Sequence, residues 1–112
     1  MGFFRGGAVS VSAFKMQLKP GMIDEYRRRH DEIWPELSKL LTEAGIYDYS
    51  IFLDEDTLAL FAVLKLREEN DRDALPDHPL MKKWWDYMAP LMEVEADNRP
   101  KEWPLPLIFH HA

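Results

Sequence analysis

A chain of 112 residues, 46% hydrophobic and 30% charged, has the size and balance of a single soluble domain with its own core. Its formal net charge of −6 argues against a nucleic-acid surface, which needs a concentrated basic patch, and gives no long-range pull on an anionic substrate. No apolar run approaches the ~20 residues that span a bilayer, and without cysteine there is no disulfide framework, thiol nucleophile or thiolate metal site.

Residues 2–7 are glycine-rich, and residues 1–8 read as a loose terminus with no signal-peptide core. From Ala8 to Leu18 the apolar positions run Val9, Val11, Ala13 and then Phe14, Met16, Leu18, so a strand with a bulge near Ala13–Phe14 is expected. The run from Ile23 to Ala44 carries apolar or aromatic side chains at 23, 26, 30, 33, 34, 37, 40, 41 and 44, the steps of one helix face. Pro35 lacks a backbone donor and crowds the carbonyl of Asp31. The helix therefore either kinks there or ends near His30 and restarts with Pro35 at its first position.

Gly45 stops the helix. Ile46 to Asp54 alternates, with Tyr47, Tyr49, Ile51 and Leu53 on one face. Asp54-Glu55-Asp56 turns the chain, and Thr57 to Leu66 returns as the second arm of a hairpin. That arm is apolar on both faces, with Leu58, Leu60, Ala62 and Leu64 on one and Ala59, Phe61 and Val63 on the other. Such a strand must be covered twice; helices cover one side, and a second copy of the chain is expected on the other.

The charged stretch from Arg67 to Pro76 reads as a turn and a short helical piece. A clearer helix follows from Pro79 to about Met92, loosened at Pro90. After a loop, Trp103 to Phe109 is expected as a last strand or arm spanning part of residues 101–112, confined to an edge by Pro104 and Pro106. The order is that of an α+β, ferredoxin-like βαββαβ sheet with helices on one face. All of residues 1–112 form one domain in this reading, and a reducing cytoplasm is the expected location.

Tyr26 and His30 lie one turn apart on the inward helix face, and Trp34 follows on the same stripe. Histidine trades protons near neutral pH. Periodicity leaves two readings of His30 open, a hydrogen-bonded core residue or a pocket residue able to act as acid and base. Trp84 and Trp85 are adjacent on a helix and point about 100° apart, so one can pack while the other lines a pocket. An indole stacks on the C–H face of a pyranose, and Tyr49 can supply part of a polar rim. His30, His78, His110 and His111 show no metal-ligand spacing, and there is no glycine-rich phosphate loop and no GxSxG. No metal site is expected.

Between Phe14 and Pro100 the chain resembles the L-rhamnose mutarotase family. The resemblance is carried by Met16-Gln17, Glu25-Tyr26-x-Arg28-Arg29-His30, Ile33-Trp34-Pro35-Glu36-Leu37, Tyr49-x-Ile51-x-Leu53-Asp54 and Trp84-Trp85-x-Tyr87-Met88, in that order. It implies a dimeric α/β-barrel fold and interconversion of the α and β anomers of L-rhamnose. It also implies that His30 is the proton donor and that Tyr26, Tyr49, Trp84 and Trp85 contact the sugar. The chain departs from the family pattern at both ends, at Asp48, where asparagine is expected, and at Phe52, where tyrosine is common.

The chemistry fits the inventory. Mutarotation takes a proton from the anomeric hydroxyl and gives one to the ring oxygen, so the ring opens, C1–C2 rotates and closure reverses the transfers. No cofactor is required, and general acid–base catalysis supplies roughly 10²–10⁴-fold. The residues leave the second acid–base group open between water, Tyr26 and a carboxylate. An aromatic wall favours a 6-deoxy sugar, whose methyl group gains by leaving water. Two other classes compete: a small dimeric α/β-barrel monooxygenase, and a sugar-binding module without activity.

Overall fold

The computed structural model describes residues 10–112, so the expectation for residues 1–8 lies outside the described residues. Strands β1 (Ser10–Gln17), β2 (Ile46–Asp54), β3 (Ala59–Leu66) and β4 (Trp103–Pro104) form an antiparallel sheet in the order β2-β3-β1-β4. Helices α1 (Ile23–Asp31), α2 (Pro35–Glu43) and α3 (Pro79–Met88) complete the fold, with 3-10 turns at Arg72–Asp77 and Ala89–Leu91. This is the expected ferredoxin-like order, its first helical unit divided in two. Pro35 is the first residue of α2, so the proline break is a restart and not a kink. Pro90 sits in the second 3-10 turn, where it ends α3 at Met88.

The core lies between the helices and one face of the sheet. Phe14, Met16, Leu60, Ala62 and Leu64 alternate inward from the two central strands and pack against Tyr26, Leu37, Met81, Trp84 and Met88. No helix among the described residues is long and apolar enough to cross a membrane.

Three strand expectations need correction. The ladder between β1 and β3 runs unbroken from Ser10↔Leu66 to Gln17↔Ala59, so β1 carries no bulge. Its apparent change of phase is a change of face within a regular strand: Val11 and Ala13 are apolar on the open side, opposite Ser10 and Ser12, whereas Phe14 and Met16 are apolar on the helical side, opposite Lys15 and Gln17. The bulge is in β2, where Tyr47 pairs with Lys65 and Ser50 with Val63, so three steps on one strand oppose two on the other. Asp48 takes up the extra residue at φ 47°, a left-handed conformation that aspartate tolerates better than most side chains.

Directly paired residues share a face, so Tyr47 lies with Lys65 on the open side, beneath the Arg67 guanidinium at 4.5 Å. Tyr49 follows the bulge and joins Ile51 and Leu53 on the helical side. The expectation that Tyr47 and Tyr49 share a face is thereby overturned. The last strand is also shorter than the expected Trp103–Phe109. Leu105 N–H still donates to the Ala13 carbonyl at 3.0 Å, but prolines at 104 and 106 cannot extend the ladder.

Candidate active site

α1 brings Tyr26 and His30 to the cleft between the helices and the sheet. Tyr26 is buried and His30 half-buried, their rings 4.3 Å apart. The His30 Nδ1 lies 3.0 Å from the Tyr26 carbonyl oxygen. A carbonyl only accepts, so Nδ1 carries the hydrogen of the neutral ring, and Nε2 is left free to exchange a proton. Burial pushes the imidazole below its usual 6.5, a fall only partly offset by the bond to Tyr26 and the nearby charge of Asp31.

The neighbouring aromatic residues hold this ring in place. Trp84 meets it edge-on at 5.5 Å, and Trp34 meets Trp84 edge-on at 5.1 Å. Tyr87 closes the group, 5.5 Å from Trp34 and 5.7 Å from Trp84. Such edge-to-face pairs each add about 0.5–1.5 kcal/mol beyond the area they bury.

Arg29 then ties α1 to α3. It donates to the Tyr87 carbonyl oxygen, lies 4.1 Å above the Tyr87 ring and pairs with Glu25 at 2.6 Å. The Arg28 and Arg29 guanidiniums hold the Glu25 carboxyl down at about 2. Arg28 and Arg29 are therefore a brace behind the site, their guanidiniums committed to carboxylates and to a carbonyl.

The adjacent tryptophans divide as their 100° offset requires: Trp84 is buried, whereas Trp85 is half-buried with the Arg99 guanidinium 5.8 Å from its ring. Tyr49 enters from the sheet. It keeps 39% of its surface exposed, yet the protein atoms crowded around its phenol, with the charge of Glu102, push it well above the usual tyrosine range. Burial does the same to Tyr26. Both phenols therefore hold their protons and act as hydrogen-bond donors.

All five residues singled out from the sequence, His30, Tyr26, Tyr49, Trp84 and Trp85, line one cleft of about 870 Å³, ample for a monosaccharide. Arg72, Arg99 and Glu102 line it too, and sequence reasoning missed them. Arg72 sits in a charged stretch with nothing to mark it out. Glu102 precedes the last strand, and only strand parity could have pointed it inward. His78, by contrast, caps α3 by accepting from Leu80 N–H at 3.1 Å, the turn role its Asp-His-Pro context indicates.

Fold and cleft together define a ferredoxin-like α+β protein with an aromatic, histidine-bearing pocket of small-molecule size. The family model described as L-rhamnose mutarotase matches residues 12–111. L-rhamnose mutarotases from Jannaschia sp. and Sinorhizobium fredii are each 59% identical over 98 residues, covering 88% of this chain and 94% of theirs. A crystal structure of an L-rhamnose mutarotase from Formosa agariphila superposes with a TM-score of 0.85 at 44% identity, over 92% of this chain and 99% of that one. The chain belongs to the L-rhamnose mutarotase family.

Proposed function

We propose that this protein interconverts the α and β anomers of L-rhamnose by general acid–base catalysis, with His30 as the proton donor to the ring oxygen. The observation that carries the reading is the free Nε2 of a half-buried imidazole lining an aromatic cleft, its other nitrogen fixed on the Tyr26 carbonyl. In its charged form His30 hands the Nε2 proton to the ring oxygen as the C1–O5 bond breaks, while a base in the cleft or water takes the proton of the anomeric hydroxyl and C1=O1 forms. When the aldehyde closes on its other face, the neutral imidazole takes the proton back from the attacking hydroxyl and the base returns its own to O1. Each turnover therefore restores the enzyme without a cofactor.

Tyr26 and Tyr49 donate hydrogen bonds to sugar hydroxyls in this scheme. Trp84 and Trp85 provide C–H stacking surface and a dry place for the 6-methyl group. The family match and the relatives' printed activity support this reading. The oxygenase and the inactive binding module find no such support. A homodimer formed through the open face of the sheet is part of the proposal, supported by the apolar side chains there. So is a cytoplasmic location, with whose redox poise a cysteine-free chain is compatible.

Saturation-transfer NMR on the rhamnose anomers tests the assignment. The wild type is expected to accelerate exchange above the buffer rate, and His30→Ala to lose roughly 100-fold or more of that acceleration. Undiminished exchange in the variant removes the imidazole from the chemistry.

A further inference from the structure

β4 is only two residues long, yet it fixes where its neighbours point. Trp103 pairs with Lys15 and Pro104 with Phe14. Lys15 and Trp103 meet on the open face of the sheet, ammonium to ring centroid at 5.3 Å, whereas Phe14 is buried on the helical face. Side chains alternate along a strand. Glu102, one residue before Trp103, therefore turns to the helical side, level with Met16. The segment is anchored from the other direction by Lys101 N–H donating to the Glu93 carbonyl at 3.1 Å. Glu102 thus reaches the cleft from the sheet, while His30 reaches it from α1.

We propose that Glu102 is the second proton-transferring group of the reaction, acting on the sugar opposite His30. This rests on the mutarotase reading and supplies the partner that reading lacks. As the ring opens, the Glu102 carboxylate takes the proton from the anomeric hydroxyl, C1=O1 forms, the C1–O5 bond breaks, and His30 Nε2–H protonates O5. After rotation about C1–C2, closure on the other carbonyl face returns both protons. The pair carries one exchangeable proton more than its fully deprotonated state throughout, so the books balance without a co-reactant.

The other groups lining the cleft are worse placed for this task. Tyr26 and Tyr49 are pushed up and hold their protons. Asp48 is paired with Lys65 at 3.2 Å, on the bulge. Asp31 follows His30 directly on α1, so it does not reach the sugar from the opposite side. Glu102 is exposed along its length, but the protein atoms around its carboxyl raise its proton affinity, a rise that the Arg99 and Arg72 guanidiniums only partly offset. Arg72 from the 3-10 turn, Arg99 from the loop before β4 and Tyr49 from β2 are the charged and titratable groups that face it. A carboxyl with raised affinity and an imidazole with lowered affinity lie closer together than free glutamate and histidine, which suits proton exchange in both directions.

The test is anomer exchange by saturation-transfer NMR across pH, with rhamnose binding followed in parallel by tryptophan fluorescence. The wild type is expected to show a two-limbed pH profile, because activity needs one proton shared between the two groups. Glu102→Gln is expected to lower exchange by roughly 100-fold, to keep affinity within about threefold, and to leave a single limb. Glu102→Asp, which keeps the carboxylate, recovers both limbs at a reduced rate. A Gln variant within about twofold of wild type, or either variant with the opposite limb pattern, overturns the role of Glu102 and leaves the mutarotase reading standing. A wild type that leaves exchange at the buffer rate overturns both.

Discussion

His30 owes its direction to its place in α1 and to the proline that follows. Its position one turn after Tyr26 puts the imidazole over that residue's carbonyl, and Pro35 forces the chain to restart as α2 before the ring can be buried by another turn of helix. The ring is thereby half-buried and neutral, which carries a consequence for stability. A histidine whose folded-state proton affinity lies below the unfolded 6.5 is bound by more protons when the chain unfolds. Stability from this group is full above the unfolded value and is lost as pH falls through the folded one. Urea midpoints measured between about pH 7.5 and 5.5 should therefore drop with acid in the wild type, and the drop should be shallower in His30→Gln. Equal slopes would mean that the imidazole protonates as freely in the fold as in the open chain. The inward placement of His30 was legible in the sequence because a helix repeats within one segment, so the stretch from Ile23 to Ala44 suffices. Glu102 was not legible, since its direction depends on pairing with β1 some ninety residues earlier, across a stretch whose prolines disguise the strand.

At the scale of elements, irregularities aim the side chains. The bulge at Asp48 separates two tyrosines that simple alternation puts on one face, and it delivers Tyr49 to the cleft. Alternation alone could not reveal it, because one extra residue exchanges the faces without altering composition. Gly45 is the other fixed point. It lies at φ +88° between α2 and β2, and its carbonyl accepts from Arg67 N–H at 2.9 Å. A Cβ there would stand 2.8 Å from Asn70 Cβ and 3.1 Å from the Glu69 carbonyl oxygen. Gly21 has a similar backbone, φ +79°, but nothing within 4 Å of an added Cβ. Gly45→Ala is expected to cost about 2–4 kcal/mol, from left-handed strain plus overpacking, and Gly21→Ala only about 1 kcal/mol, from strain alone. Chemical denaturation of the two variants decides it, and equal losses would remove the packing contribution. The sequence marked Gly45 as a helix stop; the loop pressed against it comes from residues 69–70 and left no local sign.

For the whole molecule, the sheet has one face too many. The helices cover only the side that holds the cleft, and the other side presents Val11, Phe52, Phe61, Val63 and Trp103, with Phe52 directly paired to Phe61. Phe52 leaves 62% of its surface in water, and Ile108 in the tail leaves 91%. The radius of gyration, 15.0 Å, exceeds the about 13 Å of a compact chain of this length, as an extended tail requires. An antiparallel sheet that faced water would alternate polar residues outward; β3 does not, and that was visible in its sequence. The open face is therefore the surface through which we expect two copies to join. Phe52→Glu puts a charge at that surface while touching nothing in the core, so the single chain should fold as before. Sedimentation at matched concentrations should give twice the chain mass for the wild type and the chain mass for the variant. Thermal unfolding should rise with concentration only in the wild type, because association stabilises the folded state by mass action. A variant that stays dimeric, or a wild type that is monomeric throughout, would assign the second cover of β3 to something other than a second copy.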